Sequence, residues 1–131
     1  MLIKDGKGKG KMKLKMVQEL LKANVLTDTL PWENVEVETA CGADLMSDVL
    51  AFSKDKSLLL TGLIYPQVIR TSEVLDIRAI VFVRGKTPPS EMIRFATEQG
   101  LPLLVTKMPM YEACGKLYKE GLGVEGDDVN V

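Results

Sequence analysis

The side chains best placed to do chemistry follow three short apolar runs. Thr61-Gly62 comes after Leu58-Leu59-Leu60, Arg84-Gly85-Lys86-Thr87 after Ala79 to Val83, and Thr106-Lys107 after Leu103-Leu104-Val105. Gly85-Lys86-Thr87 carries the ending of a phosphate-binding P-loop, between a predicted strand and a predicted helix. Such a loop also needs a first glycine where this chain has Ile80, inside the strand. The stretch from Gly6 to Lys11 has no strand before it and carries Met12 where Ser or Thr is required. Neither segment is a P-loop, which argues against phosphoryl transfer by that machinery.

Other chemistries fail on composition. There is no histidine, so His-dependent triads, His metal sites and a His general base are excluded. Cys41 and Cys114 are the two cysteines, too few and too far apart for a zinc site or a disulfide framework. Cys114 falls on the apolar stripe of a predicted helix and reads as an inert core thiol. Asp44 and Asp48, at i and i+4, share a helix face and suggest a carboxylate pair. The structural alternative makes Asp44 the helix N-cap and Asp48 a first-turn acid favoured by the dipole. No catalytic residue, metal site or cofactor is assigned.

The elements that would position these groups follow from the apolar pattern. Leu58 to Leu60 and Ala79 to Val83 are continuous apolar runs, which suits strands buried on both faces. A helix over 66–75 between them carries the chain back for parallel pairing. Leu14, Val17, Leu20 and Leu21 recur at helical spacing, which predicts a helix over 13–23 with Asn24 as a left-handed C-cap. A short strand is expected from Val25. Val35 to Thr39 alternates with period two and reads as a strand, Cys41 to Ala43 as a turn, and Leu45 to Phe52 as a short helix. Thr87 is expected to cap a helix opening on Pro88-Pro89 and ending at Gly100, followed by a strand over Leu103 to Val105. Met110, Ala113, Cys114, Leu117 and Tyr118 mark the last helix, closed by Gly121. The expected fold is a single three-layer α/β domain, with a largely parallel sheet flanked by helices.

In open α/β sheets ligands gather beyond the carboxyl ends of the strands. Helix N-termini there offer free N–H groups to an anion. The residues expected to hold a nucleotide or other anion are Thr61, Gly62, Arg84, Gly85, Lys86, Thr87 and Thr106, with Asp44 and Ser47 beside them. The alternative is that these are solvated loop charges and caps.

At 131 residues the chain can bury a core of its own, and 46% hydrophobic with 27% charged residues is ordinary for a globular protein. A net charge of −1 gives no general attraction to nucleic acid or membrane. Lysines crowd the start without interleaved aromatics, so base stacking is not expected. No apolar run approaches the roughly 20 residues of a membrane span. The start lacks the apolar stretch of a secretory signal, and a reduced, cytoplasmic setting is expected. Residues 1–12 read as a flexible Lys/Gly tail, 13–122 as the domain and 123–131 as a loose tail.

Laid out in order, the chain resembles the DRTGG domain family between about Lys13 and Gly121. The marks are Ala43-Asp44-Leu45-Met46-Ser47-Asp48-Val49, Leu59-Leu60-Thr61-Gly62, Ala79 to Lys86, Gly100 to Thr106, and Gly115-Lys116-Leu117-Tyr118. The name-giving motif is not kept: Glu38-Thr39-Ala40-Cys41-Gly42 stands roughly in its place. The resemblance implies a fold similar to the N-terminal domain of HPr kinase/phosphorylase and to the DRTGG segments of CBS-domain pyrophosphatases and phosphotransacetylases. It also implies a regulatory or architectural role, with the chemistry left to other domains.

Three readings follow. The first is a non-enzymatic regulatory or interaction domain that works as a homodimer or on a protein partner. The second is a sensor of a nucleotide or other anion at the strand ends, and the third is an enzyme. Apolar residues beyond the needs of a small sheet suggest where a dimer forms: Leu45, Met46 and Val49 on the short helix, with Leu63, Ile64 and Tyr65 after a strand end. The alternative is that all six fold back onto the core.

Overall fold

The computed structural model describes residues 10–124. Five helices and a five-stranded sheet dominate it. Met12–Lys13 (β1) leads into Leu14–Leu21 (α1), and Asn24–Val25 (β2), Glu36–Val37 (β3) and Thr39–Gly42 (β4) follow. Met46–Phe52 (α2), Ser57–Thr61 (β5), Pro66–Val74 (α3) and Ile77–Phe82 (β6) form the centre. Ser90–Gln99 (α4), Leu103–Val105 (β7) and Met110–Lys119 (α5) complete the order. The sheet runs β2-β7-β6-β5-β4, and β1 and β3 form a separate antiparallel pair. The four strands from β7 to β4 are mutually parallel, while β2 lies antiparallel on β7 at one edge.

The apolar runs read as strands buried on both faces, and they are. Leu58, Leu60, Ala79, Val81 and Leu104 enter one core cluster with Leu14, Val17 and Leu21 of α1 and Ala113 and Leu117 of α5. Leu59, Ile80, Phe82, Leu103 and Val105 enter the other, with Val49 of α2, Val68 and Ile69 of α3, and Met92 and Ala96 of α4. Neighbours along a strand point to opposite faces, so an unbroken apolar run feeds both clusters at once. The result is the expected three-layer domain: α1 and α5 on one side of the sheet, α2, α3 and α4 on the other.

The structure corrects several local expectations. Lys22, not Asn24, takes the left-handed position that ends α1, with φ +52°, and Asn24 pairs with Val105 in β2. Val35 to Thr39 is not one strand. Met12 and Lys13 pair with Val37 and Glu36, and past Glu38 the chain turns to pair with β5 instead. Cys41 and Gly42, expected in a turn, are ladder residues opposite Leu59 and Leu60. Thr87 does not cap α4, because Pro89 precedes the first helical residue in extended conformation. Asp44 does not cap α2, whose N-cap position is Leu45.

Met12 is buried, and the Gly123 N–H donates to the Gly10 carbonyl at 3.1 Å. The tail assignments over 1–9 and 125–131 lie outside the described residues.

Candidate functional site

The carboxyl ends of β5, β6 and β7 lie side by side because these strands are parallel neighbours. Thr61, Gly62, Arg84, Gly85 and Thr106 therefore share one rim of the sheet, as expected from sequence. Their hydrogen bonds divide the rim into two regions.

Beyond β5 and β6 the polar groups satisfy one another. The Asp44 carboxylate accepts from the Gly62 N–H at 2.7 Å and from the Thr61 hydroxyl at 3.3 Å. Its other oxygen stands 3.6 Å from the Arg84 guanidinium. The Thr61 hydroxyl in turn accepts from the Leu63 N–H at 3.1 Å. Gly62 leaves room for the Arg84 guanidinium: a Cβ at this position would stand 2.1 Å from its Nη2, and that flexible side-chain end would have to move aside. Asp44 lies ahead of α2 and reaches forward to the strand ends, so it forms no carboxylate pair with Asp48 on a helix face. This cluster is a clasp tying the β4–α2 loop to the ends of β5 and β6. Ser47 sits exposed in the first turn of α2.

Beyond β6 and β7 the arrangement opens. Arg84 (φ +58°) and Gly85 (φ +66°) are both left-handed, and the Lys86 N–H closes a tight turn on the Val83 carbonyl at 3.1 Å. Consecutive left-handed residues favour glycine at one of the two positions, which Gly85 supplies. The turn is held from the side: Arg84 N–H donates to Met108 O and Gly85 N–H to Thr106 O, each at 2.8 Å. The buried Thr106 hydroxyl donates to the Leu21 carbonyl at 2.7 Å and accepts from the Met108 N–H at 3.2 Å. Thr106 is thereby committed to joining the end of α1 to the end of β7. Between these braced elements lies a cleft of about 410 Å³, lined by Leu21, Lys22, Asn24, Gly85, Thr87, Val105, Thr106, Lys107 and Met108. Of the expected ligand residues only Gly85, Thr87 and Thr106 line it; Lys86 is exposed in the turn beside it.

Lys22, Asn24 and Met108 are cleft residues that sequence reasoning did not assign. Lys22 and Asn24 follow α1, far in sequence from the strand ends, and reach the rim because α1 packs on the face above β7. The left-handed residue closing α1 is the available signal; the sequence pattern points to Asn24 for it, and Lys22 takes it.

A second groove, of about 500 Å³, runs between β4 and α5 and includes Gly42, Tyr111, Cys114 and Tyr118 in its lining. Burial, reinforced by the Asp48 carboxylate, pushes the Cys41 thiol above its ordinary pKa. Burial, reinforced by Cys41, does the same for Cys114. Raised thiols are poor nucleophiles near neutrality. Among the described residues no group of three or more Asp, Glu, Cys or His side chains could hold a metal ion.

The six residues assigned to a dimer face part company. Val49 is fully buried in the core and has no surface to offer a partner. Met46, Leu63 and Ile64 are half-buried against the same cluster. Leu45 and Tyr65 are each 61% exposed, and Leu50 on α2 is 56% exposed.

No family model matches the chain, and no curated protein matches it. Among solved structures it is similar to the CBS and DRTGG domains of the regulatory region of a Clostridium perfringens pyrophosphatase, complexed with the activator diadenosine tetraphosphate. The TM-score is 0.64 over 98% of this chain. The chain has a DRTGG-like fold. At 15% identity the likeness speaks for the fold, and this chain spans 58% of the length of that one. This fold places the Asp44 clasp and the open cleft on the same rim of the sheet. Among the described residues no helix is long and apolar enough to cross a membrane.

Proposed function

We propose that this chain is a non-catalytic regulatory domain that acts as a homodimer. The observation that carries the reading is the apolar exposure of Leu45 at the N-cap of α2, Leu50 on α2 and Tyr65 at the N-cap of α3. These two helices pack beside each other, on the side of the sheet away from α1 and α5. Single exposed apolar residues are ordinary; several on neighbouring short elements suit a contact surface. The likeness in fold to a pyrophosphatase regulatory region supports a regulatory role. A stable interface should bury at least about 1,000 Å² in total. Light scattering at micromolar concentration should return twice the monomer mass. Leu45→Glu combined with Leu50→Glu should return the monomer mass with a native circular dichroism spectrum. A wild type that stays monomeric at every concentration would remove this reading.

A second reading, a sensor of a nucleotide or other anion, is favoured by the open cleft beyond β6 and β7. The similar pyrophosphatase region is complexed with a nucleotide activator. Titration of the full chain with a panel of nucleotides, followed by calorimetry, tests it; no heat from any member would set it aside.

A further inference from the structure

We propose that the cleft between the end of α1 and the loops after β6 and β7 binds a small organic monophosphate, held by Lys22 and Lys107 at its phosphate and by an apolar floor under its body. This rests on the sensor reading and moves its site away from Asp44, Thr61 and Gly62.

Three observations carry it. The first is charge. Lys22 and Lys107 line the cleft from opposite sides in sequence, Lys86 stands beside it, and no carboxylate is among the lining residues. Among the described residues none of these three lysines forms an ion pair. At the clasp, by contrast, the one cation, Arg84, already faces Asp44. Hydrogen bonds from ammonium groups to phosphate are among the stronger polar contacts.

The second is amphipathic lining. Met108, half-buried, and the edge of Val105 supply apolar surface over the fully buried Leu21, while Thr87 and Asn24 bring a hydroxyl and an amide. Among the described residues the Thr87 hydroxyl makes one hydrogen bond, a long one of 3.5 Å to the Gly85 carbonyl. An apolar pocket with a few convergent polar groups is the usual form of a small-molecule site. Its 410 Å³ falls within the range of about 300–1,000 Å³ for such sites. That volume has room for an organic body with one phosphate.

The third is rigidity. The cleft walls are pinned by the Thr106–Leu21, Gly85–Thr106 and Arg84–Met108 hydrogen bonds, so little ordering is needed on binding. Lys22 is also held in a left-handed conformation, φ +52°, that a residue with a side chain seldom adopts.

The test uses the full chain and three probes: AMP, adenosine and inorganic phosphate. AMP should bind, and should shift the methyl resonances of Leu21, Val105 and Met108 in a ¹³C-methyl NMR spectrum. Adenosine and phosphate alone should each bind more than about tenfold more weakly, a difference of about 1.4 kcal/mol. Lys22→Gln with Lys107→Gln should weaken AMP by at least as much, whereas Lys119→Gln, outside the cleft, should leave it unchanged. Equal affinity for AMP and adenosine would overturn the phosphate assignment. Binding of AMP or another panel nucleotide that ignores the double substitution, or shifts methyls elsewhere, would overturn the cleft while leaving the sensor reading intact. No binding of any probe or panel nucleotide would overturn both. The methyl map is made on the wild type, so the outcome does not depend on the variant folding.

Discussion

The clasp beyond β5 and the cleft beyond β7 are built from the same kinds of residue on the same rim, and they end in opposite states. In the clasp, Asp44 gathers Thr61, Gly62 and Arg84, and acid and base compensate each other. In the cleft, two lysines, an amide and a hydroxyl stand around apolar surface with no carboxylate in the lining. Polar residues at strand ends are thus a poor guide to a binding site until their partners are known. A hydroxyl whose donor and acceptor capacity is already used, such as that of Thr61 or Thr106, has little left for a ligand.

Both regions hang from β6, so the comparison is broken most severely by disturbing that strand. Phe82 is fully buried in the cluster that also contains Val105, and two residues on the chain enters the Arg84–Gly85 turn. Phe82→Ala should cost about 3–5 kcal/mol in urea unfolding, combining lost transfer energy with a cavity. A loss below about 1 kcal/mol would show that β6 is not their shared support.

A smaller effect separates the two. Thr106→Val keeps the shape of a buried side chain but leaves the Leu21 carbonyl and the Met108 N–H without their partner. It should cost about 1–3 kcal/mol. In the same NMR spectrum the methyl resonances around Leu21 and Met108 should move while those near Leu63 stay. Movement on both sides would mean that the clasp and cleft are one unit.

The smallest effect is expected at the clasp. Asp44 and Arg84 are 45% and 42% exposed, so their ion pair is largely screened. Asp44→Ala should cost about 1 kcal/mol, because the half-exposed site lets water take the place of the carboxylate at the Gly62 N–H, and should leave AMP binding unchanged. A loss larger than that of Thr106→Val would reverse the ranking of the two regions.

What the sequence determined by itself is the layered fold. Two-sided burial needs continuous apolar runs, and Leu58 to Leu60, Ala79 to Val83 and Leu103 to Val105 are such runs. Helical faces need apolar residues three and four apart, and α1 and α5 have them at Leu14, Val17 and Leu21 and at Ala113 and Leu117. These are local periodicities, and burial follows from them directly. The rim of polar strand ends was legible for the same reason, since parallel strands bring their carboxyl ends together.

Only the tertiary structure decided how that rim is partnered. Asp44 precedes α2 by two positions and looks like a cap. A charged hydrogen bond to the buried backbone at Gly62, with Arg84 alongside, draws it to the strand ends instead. Val49 looks like part of an exposed stripe on a short helix, but α2 turns it into the core beneath β5. Lys22 reaches the cleft only because α1 packs across the sheet, bringing residues some 80 positions apart together (Leu21 and Thr106 are 85 apart). Hydrogen-bond partners are chosen by proximity in space, and sequence spacing carries no record of that once the chain has crossed from one layer to another.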